Sequence, residues 1–306
     1  MTAKLFLNNI TVIDHGYIGS DGRQHGGSFH ASFEVGGNVD SHEQVVIDFS
    51  ACKKHIKDII DARDNGYDHK VWVLPGWSDC EVSVEVGNVT IRSSALELSG
   101  PSNMLRVIQA PEYSAAAIGE DIGKHVEVEL AKVYPGVGVT VKCKLTEVGF
   151  INNSANHRHY FRYSHGLRNS SSWGCQNIAH GHLSWLEVEH DEHYREDCQD
   201  CQQALFAITQ ALSNQWDDAV LIDEANIVDR GDDYISIAYT TPRGRFFAKY
   251  RAPYVKYKVL PHETTIEHIV DAFARENAYW LERAHVARLY ISEGLAKGSL
   301  KEFDHD

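Results

Sequence analysis

The sequence predicts an α+β protein built from two domains in tandem, residues 1–150 and 151–306. Three observations predict it. The 306 residues are enough to fill two ordinary hydrophobic cores. Period-two and period-3.6 hydrophobic patterns follow one another in the same order twice: strand, strand, helix, strands, helix, strand. Asn and Ser cluster from Phe150 to Asn156, where the boundary is expected. The repeat lies in pattern and hardly in residue identity, and a duplicated α+β unit explains it more economically than two unrelated folds.

In the first half, Leu5 to Ile13 and Ser28 to Val35 alternate as strands on either side of a Gly-rich turn region. From Phe49 to Ala62, Cys52, Ile56, Ile59 and Ile60 recur at helical spacing, with Asp48 or Ser50 available as N-cap. Val71 to Leu74 reads as a strand, and Glu81 to Val86 and Val89 to Ser93 flank a Gly87-Asn88 hairpin turn. Interrupted helical periodicity spans Ser102 to Leu130, and Gly138 to Leu145 closes the half as a strand.

In the second half, Tyr160 to Tyr163 and Leu183 to Val188 are strands, followed by a helix from Asp197 to Asn214. Tyr234 to Thr240 and Arg245 to Tyr250 flank the turn Pro242-Arg243-Gly244. A helix from Thr265 to Glu282 precedes a last strand, Val286 to Ile291.

With 43% apolar and 24% charged residues, the chain has the composition of a folded globular protein. Its formal net charge of -14 repels nucleic-acid phosphates and anionic lipid surfaces, so neither is an expected partner. No stretch approaches the roughly 20 apolar residues of a membrane span, and the N-terminus leads straight into an alternating segment; a cytoplasmic location is expected. Six cysteines in a chain this long make no dense disulfide framework and are read as free thiols.

His180-Gly181-His182 is the sharpest local signal. Alternate residues of an extended segment share a face, so both imidazoles converge, with Gly removing bulk between them. His165, at the end of the preceding strand, would complete three nitrogens with an open fourth position, the arrangement of catalytic zinc. In a chain with 18 histidines the bland alternative is a turn carrying two surface imidazoles.

Two segments carry a family resemblance: Phe161-Arg162-Tyr163-Ser164-His165, then Cys175-Gln176-Asn177-Ile178-Ala179-His180-Gly181-His182. Together they resemble the signature of the 6-pyruvoyl- and 6-carboxy-tetrahydropterin synthases. The resemblance implies zinc on His165, His180 and His182 and a catalytic cysteine at Cys175, here one residue further from the His-x-His than in the family pattern. Leu289 to Gly294 resembles the family's last strand, which makes Glu293 the expected anchor of the pterin ring. Gly27 to Lys53 resembles the family's second strand, hairpin and helix entry, and Tyr67-Asp68-His69 its Asp-His pair.

Each half lacks something on this reading. In the first, His15 and His25 align with the first two metal ligands, Gly27 replaces the third and Asp21 the cysteine. In the second, Trp216-Asp217-Asp218 stands where Asp-His is expected. Zinc and Cys175 from one half are therefore expected to meet Asp68 and His69 from the other. The alternative for Asp68-His69 is a helix-end cap.

The implied activity is a zinc-dependent lyase acting on 7,8-dihydroneopterin triphosphate with loss of triphosphate. Carboxy and pyruvoyl products stay open, with queuosine biosynthesis favoured as the pathway. Arg158, Arg162, Arg168, Arg243 and Arg245 are available for the anion, and the sequence does not choose among them. The other class is a noncatalytic zinc-containing pterin-binding scaffold, against which Cys175 and Glu293 argue. The implied fold is two tunnelling-fold domains whose sheets join others into a barrel, so a homo-oligomer is expected, with a trimer of chains as the form that supplies six domains. A second cluster, His190, His193, Cys198 and Cys201, has spacing suited to structural zinc, but helical periodicity from Asp197 favours two thiols on one helix face.

Overall fold

The computed structural model describes residues 1–147 and 158–303; the expected boundary between Phe150 and Asn156 lies outside the described residues. The first half runs β1 (Thr2–Ile18), β2 (Gln24–Asn38), α1 (Phe49–Ile60), β3 (Lys70–Val73), β4 (Glu81–Glu85), β5 (Asn88–Arg92), β6 (Leu96–Pro101), β7 (Leu105–Val107), α2 (Ala115–Val133) and β8 (Thr140–Thr146). The second runs β9 (His159–His165), β10 (His180–His190), α3 (Gln199–Ala211), β11 (Ala219–Asp223), β12 (Ile227–Arg230), β13 (Tyr234–Thr241), β14 (Gly244–Arg251), β15 (Tyr257–Leu260), α4 (Ile266–Glu276), α5 (Ala278–Arg283), β16 (Val286–Glu293) and β17 (Lys297–Glu302).

The class is α+β, and the helices arise where the apolar spacing predicts them. Asp48 caps α1 by accepting from Ala51 N at 2.9 Å, and Cys52, Ile56 and Ile60 form its buried stripe. Elsewhere the pattern misleads. Of the expected helical stretch from Ser102, the first residues form a single 3-10 turn and then β7; the helix begins only at Ala115, capped by Ser114. Pro111, with no N–H to donate, separates the two. The helix expected from Thr265 to Glu282 breaks at Asn277, whose Nδ2 turns back to donate to Phe273 O at 2.9 Å. Strands β6, β11, β12, β15 and β17 are four to six residues long, too short for alternation to reveal them.

The strands form three sheets, ordered β7-β3-β1-β2-β8, β15-β11-β9-β10-β16-β17 and β12-β13-β14-β6-β5-β4. The first two correspond strand for strand over five positions, with the same senses: an antiparallel centre, β1/β2 and β9/β10, and a parallel flank, β1/β3 and β9/β11. These sheets are therefore mixed and not purely antiparallel, because a helix crosses one face before the chain re-enters beside its first strand. In the third sheet β14 pairs with β6, so strands of both halves are hydrogen-bonded to one another. Helices α1 and α2 cover the first sheet and α3 to α5 the second, each burying a separate apolar core. At about 1.5–3 kcal/mol for each large side chain removed from water, residues such as Ile56, Ile122, Ile208 and Phe273 carry the helix-to-sheet packing.

The opposite faces of the first two sheets meet where β2 crosses β10. A Cβ on Gly26 would lie 2.1 Å from Tyr163 O, and one on Gly181 would lie 2.6 Å from Gly26 Cα. Backbone thus touches backbone. Beside the crossing, Leu183 N donates to Ser28 Oγ at 3.0 Å, joining the sheets. Gly181 is required by this approach, beyond leaving room between two imidazoles. Gly26→Ala is expected to lower stability by about 3 kcal/mol or more, since only backbone could give way. A urea-unfolding midpoint equal to wild type would show that the crossing can relax.

Candidate active site

His165 ends β9 and His180 begins β10, and the register sets them directly opposite each other; His182 follows on the same face, opposite Tyr163. All three imidazoles are buried, and one ring nitrogen of each lies within 4.8 Å of the other two. The hydrogen bonds decide which nitrogen that is. His165 Nδ1 donates to Thr264 O at 2.8 Å and His180 Nδ1 to Asn177 O at 2.8 Å, while His182 Nδ1 faces Asp14 Oδ1 at 3.3 Å. With their protons on Nδ1, the rings present Nε2 lone pairs.

Among the described residues those lone pairs have no protein donor to meet. His165 Nε2 and His182 Nε2 face each other at 3.2 Å, and His180 Nε2 is buried without a partner. Burial pushes His165 down to about 3 and His180 well below the usual histidine value, so the rings are neutral ligands. Three imidazoles, two of them held neutral by burial and each with an oxygen near its far nitrogen, fit a zinc ion with a position left open.

Cys175 lies beside this cluster and outside it. Its Sγ is 3.6 Å from His69 Nε2, and His69 Nδ1 is 2.5 Å from Asp68 Oδ2. The thiol converges with His69 and His180 but not with His165 and His182. Burial would raise the thiol, yet the hydrogen bond and charge of His69 bring Cys175 below the ordinary cysteine value. Burial likewise opposes a charged His69, but the Asp68 carboxylate holds it well above the usual histidine value.

Local structure sets this contact. His69 has a left-handed backbone (φ 54) in the turn before β3, with its N–H on Asp14 O at 2.6 Å, while Asp68 Oδ1 accepts from Asp14 N at 2.9 Å. These residues are not on a helix end, since α1 closes at Ile60 with Asp61 as its C-cap. A Cβ on Gly174 would sit 2.6 Å from the His69 ring, so glycine there permits the approach. Asn177 Nδ2 donates to His69 O at 2.9 Å, tying the Cys175 loop to the opposite half.

Glu293, at the end of β16, lines a cavity of about 270 Å³ together with Asp14, Asp68 and His69, and Lys297 pairs with it at 2.8 Å. The cavity thus joins the proposed ring anchor to the dyad.

The corresponding place in the first half carries a different set of side chains, beside a cavity of about 550 Å³ whose lining includes Tyr17, His25, Glu147, Arg162, Asp217 and Asp218. Tyr17 pairs with His25 as His165 pairs with His180, and His15 pairs with Gly27 as Tyr163 does with His182. The counterpart of the first ligand is therefore Tyr17, which corrects the assignment to His15. A shift of two residues keeps the face of a strand, so side-chain pattern alone cannot detect it. Tyr113 stacks on Tyr17 with ring centroids 3.7 Å apart, and its hydroxyl is 2.8 Å from His15 Nε2. Opposite, Asp217 Oδ1 accepts from Arg162 N at 2.8 Å, as Asp68 accepts from Asp14 N, and Asp218 takes His69's place with Oδ1 2.7 Å from His25 Nδ1.

Sequence reading missed Asp14, Ser28, Asn177, Thr264 and Gly174, which support the site without a motif of their own. Only the strand phase of Asp14 beside His15 offers a signal. Cys198 caps α3, its Sγ accepting from Cys201 N at 3.4 Å, and His190 Nδ1 donates to Ala284 O at 2.8 Å. Among the described residues this quartet forms no converging set of metal ligands.

In comparisons with known proteins, no family model and no curated protein matches this chain. Solved structures of 6-pyruvoyltetrahydropterin synthases do. A catalytic-residue mutant of the Plasmodium vivax enzyme is 18% identical, over 49% of this chain and 94% of that one, at a TM-score of 0.39. The Plasmodium falciparum enzyme is 19% identical, over 48% and 91%, at a TM-score of 0.34. An uncharacterized protein from Wolinella succinogenes is 12% identical, over 49% and 97%, at 0.33. Among the described residues no helix is long and apolar enough to cross a membrane.

Two predictions follow from the two places. Metal analysis should find one zinc per chain, lost in His182→Ala and kept in His25→Ala; full occupancy in the first would remove the centre. His25 is only partly exposed, and burial disfavours its charge, but Asp218 and Asp21 raise its pKa above the usual value. The protonated form is thus favoured by folding, and its stabilisation is complete below the unfolded value near 6.5 and fades as pH rises through the folded one. His25→Gln should therefore cost more stability at pH 5.5 than at pH 9, measured by the urea midpoint at each pH.

Proposed function

We propose that the chain is a zinc-dependent lyase of the tetrahydropterin synthase type, with one composite site per chain. The observation that carries this reading is the Asp68–His69–Cys175 chain of hydrogen-bonding groups, ending at the open side of three converging Nε2 atoms. A purely structural metal site would need no thiol poised by an imidazole beside it. The substrate, 7,8-dihydroneopterin triphosphate, is drawn from the resemblance of the Cys175 to His182 and Leu289 to Gly294 segments to that family.

His165, His180 and His182 would hold the zinc, which when bound supplies a Lewis acid next to the substrate's side-chain hydroxyls. Cys175, as thiolate, takes the proton from the adjacent carbon, and the electron pair released there leads to expulsion of triphosphate. His69 keeps the thiol ionised and receives its proton, while Asp68 fixes the ring's tautomer and offsets its charge. Glu293 accepts from the N–H edge of the pterin ring and sets its depth. The folded halves are proposed to be tunnelling-fold units, and copies of the chain to associate through their remaining sheet edges into a homo-oligomer.

Cys175→Ala is expected to abolish triphosphate release while leaving zinc content and unfolding midpoint near wild type. A wild-type rate in that variant would exclude the thiol as base. His69→Ala should lower the rate constant by about two orders of magnitude or more. Because His69 and Cys175 meet within one chain, mixing the two inactive variants should restore nothing; recovered activity would place the site between chains.

A further inference from the structure

The strand register puts a second carboxylate in the position of Glu293. Ala31 lies opposite Leu145 on β8 as its counterpart Leu186 lies opposite Ile291 on β16, so two residues further on Glu147 stands where Glu293 stands. The chain is alike at both points, Leu145-Thr146-Glu147 and Ile291-Ser292-Glu293. Val12 and Asp14 of the Glu293 cavity correspond in the same way to Tyr160 and Arg162, and Asp68 and His69 to Asp217 and Asp218. All five counterparts line the cavity of about 550 Å³ at the other crossing, which is twice the size of the one of about 270 Å³ at Glu293.

This place lacks the parts that do chemistry in the other. Among the described residues no three metal-ligating atoms converge here, and the Asp218 carboxylate stands where the His69 imidazole would act on a thiol. It has instead the parts that hold a flat molecule. Arg162 Nη2 takes Glu147 Oε1 at 3.0 Å and Nη1 donates to Gly26 O at 3.0 Å, so the guanidinium and the carboxylate fix each other at the crossing. Tyr17 and Tyr160, both half-buried, give the wall aromatic faces, and Tyr17 is backed by Tyr113 with ring centroids 3.7 Å apart. A heteroaromatic ring stacks on such faces. Its N–H edge suits the Glu147 carboxylate, and a ring carbonyl beside that edge suits an Arg162 N–H. The lining sets Glu147, Asp217 and Asp218 against only the Arg162 guanidinium and the His25 imidazole, which disfavours an anionic substituent.

We infer that this cavity is a second ligand site, metal-free and noncatalytic, which holds an uncharged heterocycle with adjacent amino, ring N–H and carbonyl groups on Glu147 and Arg162. The choice of ring rests on the reading of Glu293 as a ring anchor; the register match between Glu147 and Glu293 does not. Each chain then carries two unlike places for a ligand, one beside the thiol and the imidazole cluster, the other with neither. A molecule held at Glu147 meets no base, so it is bound and released unchanged.

Neopterin, a ring of this kind with an uncharged side chain, is the probe, followed by equilibrium dialysis against the zinc-loaded full chain. Two molecules per chain are expected. Glu293→Gln should lose one of them, Glu147→Gln the other, and the double variant both. Glu147 is half-buried at the end of β8, so Glu147→Gln should keep the urea-unfolding midpoint close to wild type; Arg162→Met should also weaken this site. Pterin-6-carboxylate, the same ring with an anionic substituent, should bind the Glu293→Gln chain about tenfold more weakly than neopterin does. Absence of neopterin binding to Glu293→Gln overturns the site, as does binding there that is unchanged when Glu147→Gln is added. Triphosphate release by a wild-type chain that binds a single neopterin would remove the second site and leave the lyase reading. Two bound molecules, one of them dependent on Glu147, with no triphosphate release would remove the lyase reading and leave the second site.

Discussion

Everything in the candidate site depends on how closely two sheets cross. At Gly26 and Gly181 the backbones of β2 and β10 approach without room for a methyl group, and from that point the two halves are fixed relative to one another. The crossing brings the Asp14 carboxylate of one half to 3.3 Å from the His182 ring of the other. Asp14 also holds Asp68 and His69 through its own backbone N–H and carbonyl. One residue therefore touches both the imidazole cluster and the dyad. The shared third sheet, in which β14 pairs with β6, closes the same relation from the other side.

The electrostatics explain why such a buried polar centre is tolerable. His165 and His180 donate from Nδ1 to backbone oxygens and His182 Nδ1 faces Asp14 Oδ1 at 3.3 Å without a hydrogen bond, so the three Nε2 atoms are left converging on one another. Without a cation that arrangement costs several kcal/mol in unmet acceptors. With one, the same atoms become ligands whose orientation is already set. Burial of Asp14 would raise its pKa, but His182, His69 and the Ser28 hydroxyl hold it well below the usual carboxylate range. Its charge is then available to the metal-facing ring at any physiological pH.

How much of this was legible in the sequence follows from what leaves a local pattern. The helices α1 and α3 showed themselves through apolar spacing, and His180-Gly181-His182 through strand alternation. The placement of His69 next to Cys175 came from a motif resemblance, since no periodicity links residues 106 positions apart. The short strands β11 and β15 escaped because four or five residues hold barely two periods. Asp14, Asn177 and Thr264 act on the site through hydrogen bonds to residues far away in sequence, which leave no spacing to read. The slip from Tyr17 to His15 has the same root: a two-residue shift along a strand preserves every inward and outward assignment.

The two unequal places also follow from this geometry. Because each is built from the metal face of one half and the turn before the third strand of the other, an intact site requires only one good metal face and one good dyad. The metal face that remains is on β9 and β10, and the dyad that remains precedes β3; these two meet. The leftover face and leftover turn meet as well, beside an open cavity of about 550 Å³. Tyr113 stacks into the space beside Tyr17, Asp218 binds His25, and Arg162, standing where Asp14 stands in the other place, pairs with Glu147 at 3.0 Å. Buried lone pairs that would call for a metal have been replaced by rings and ion pairs that satisfy themselves. The face that bears three converging imidazoles therefore meets the turn that bears Asp68 and His69, while the other crossing carries hydrogen-bonded rings and ion pairs beside a cavity of its own.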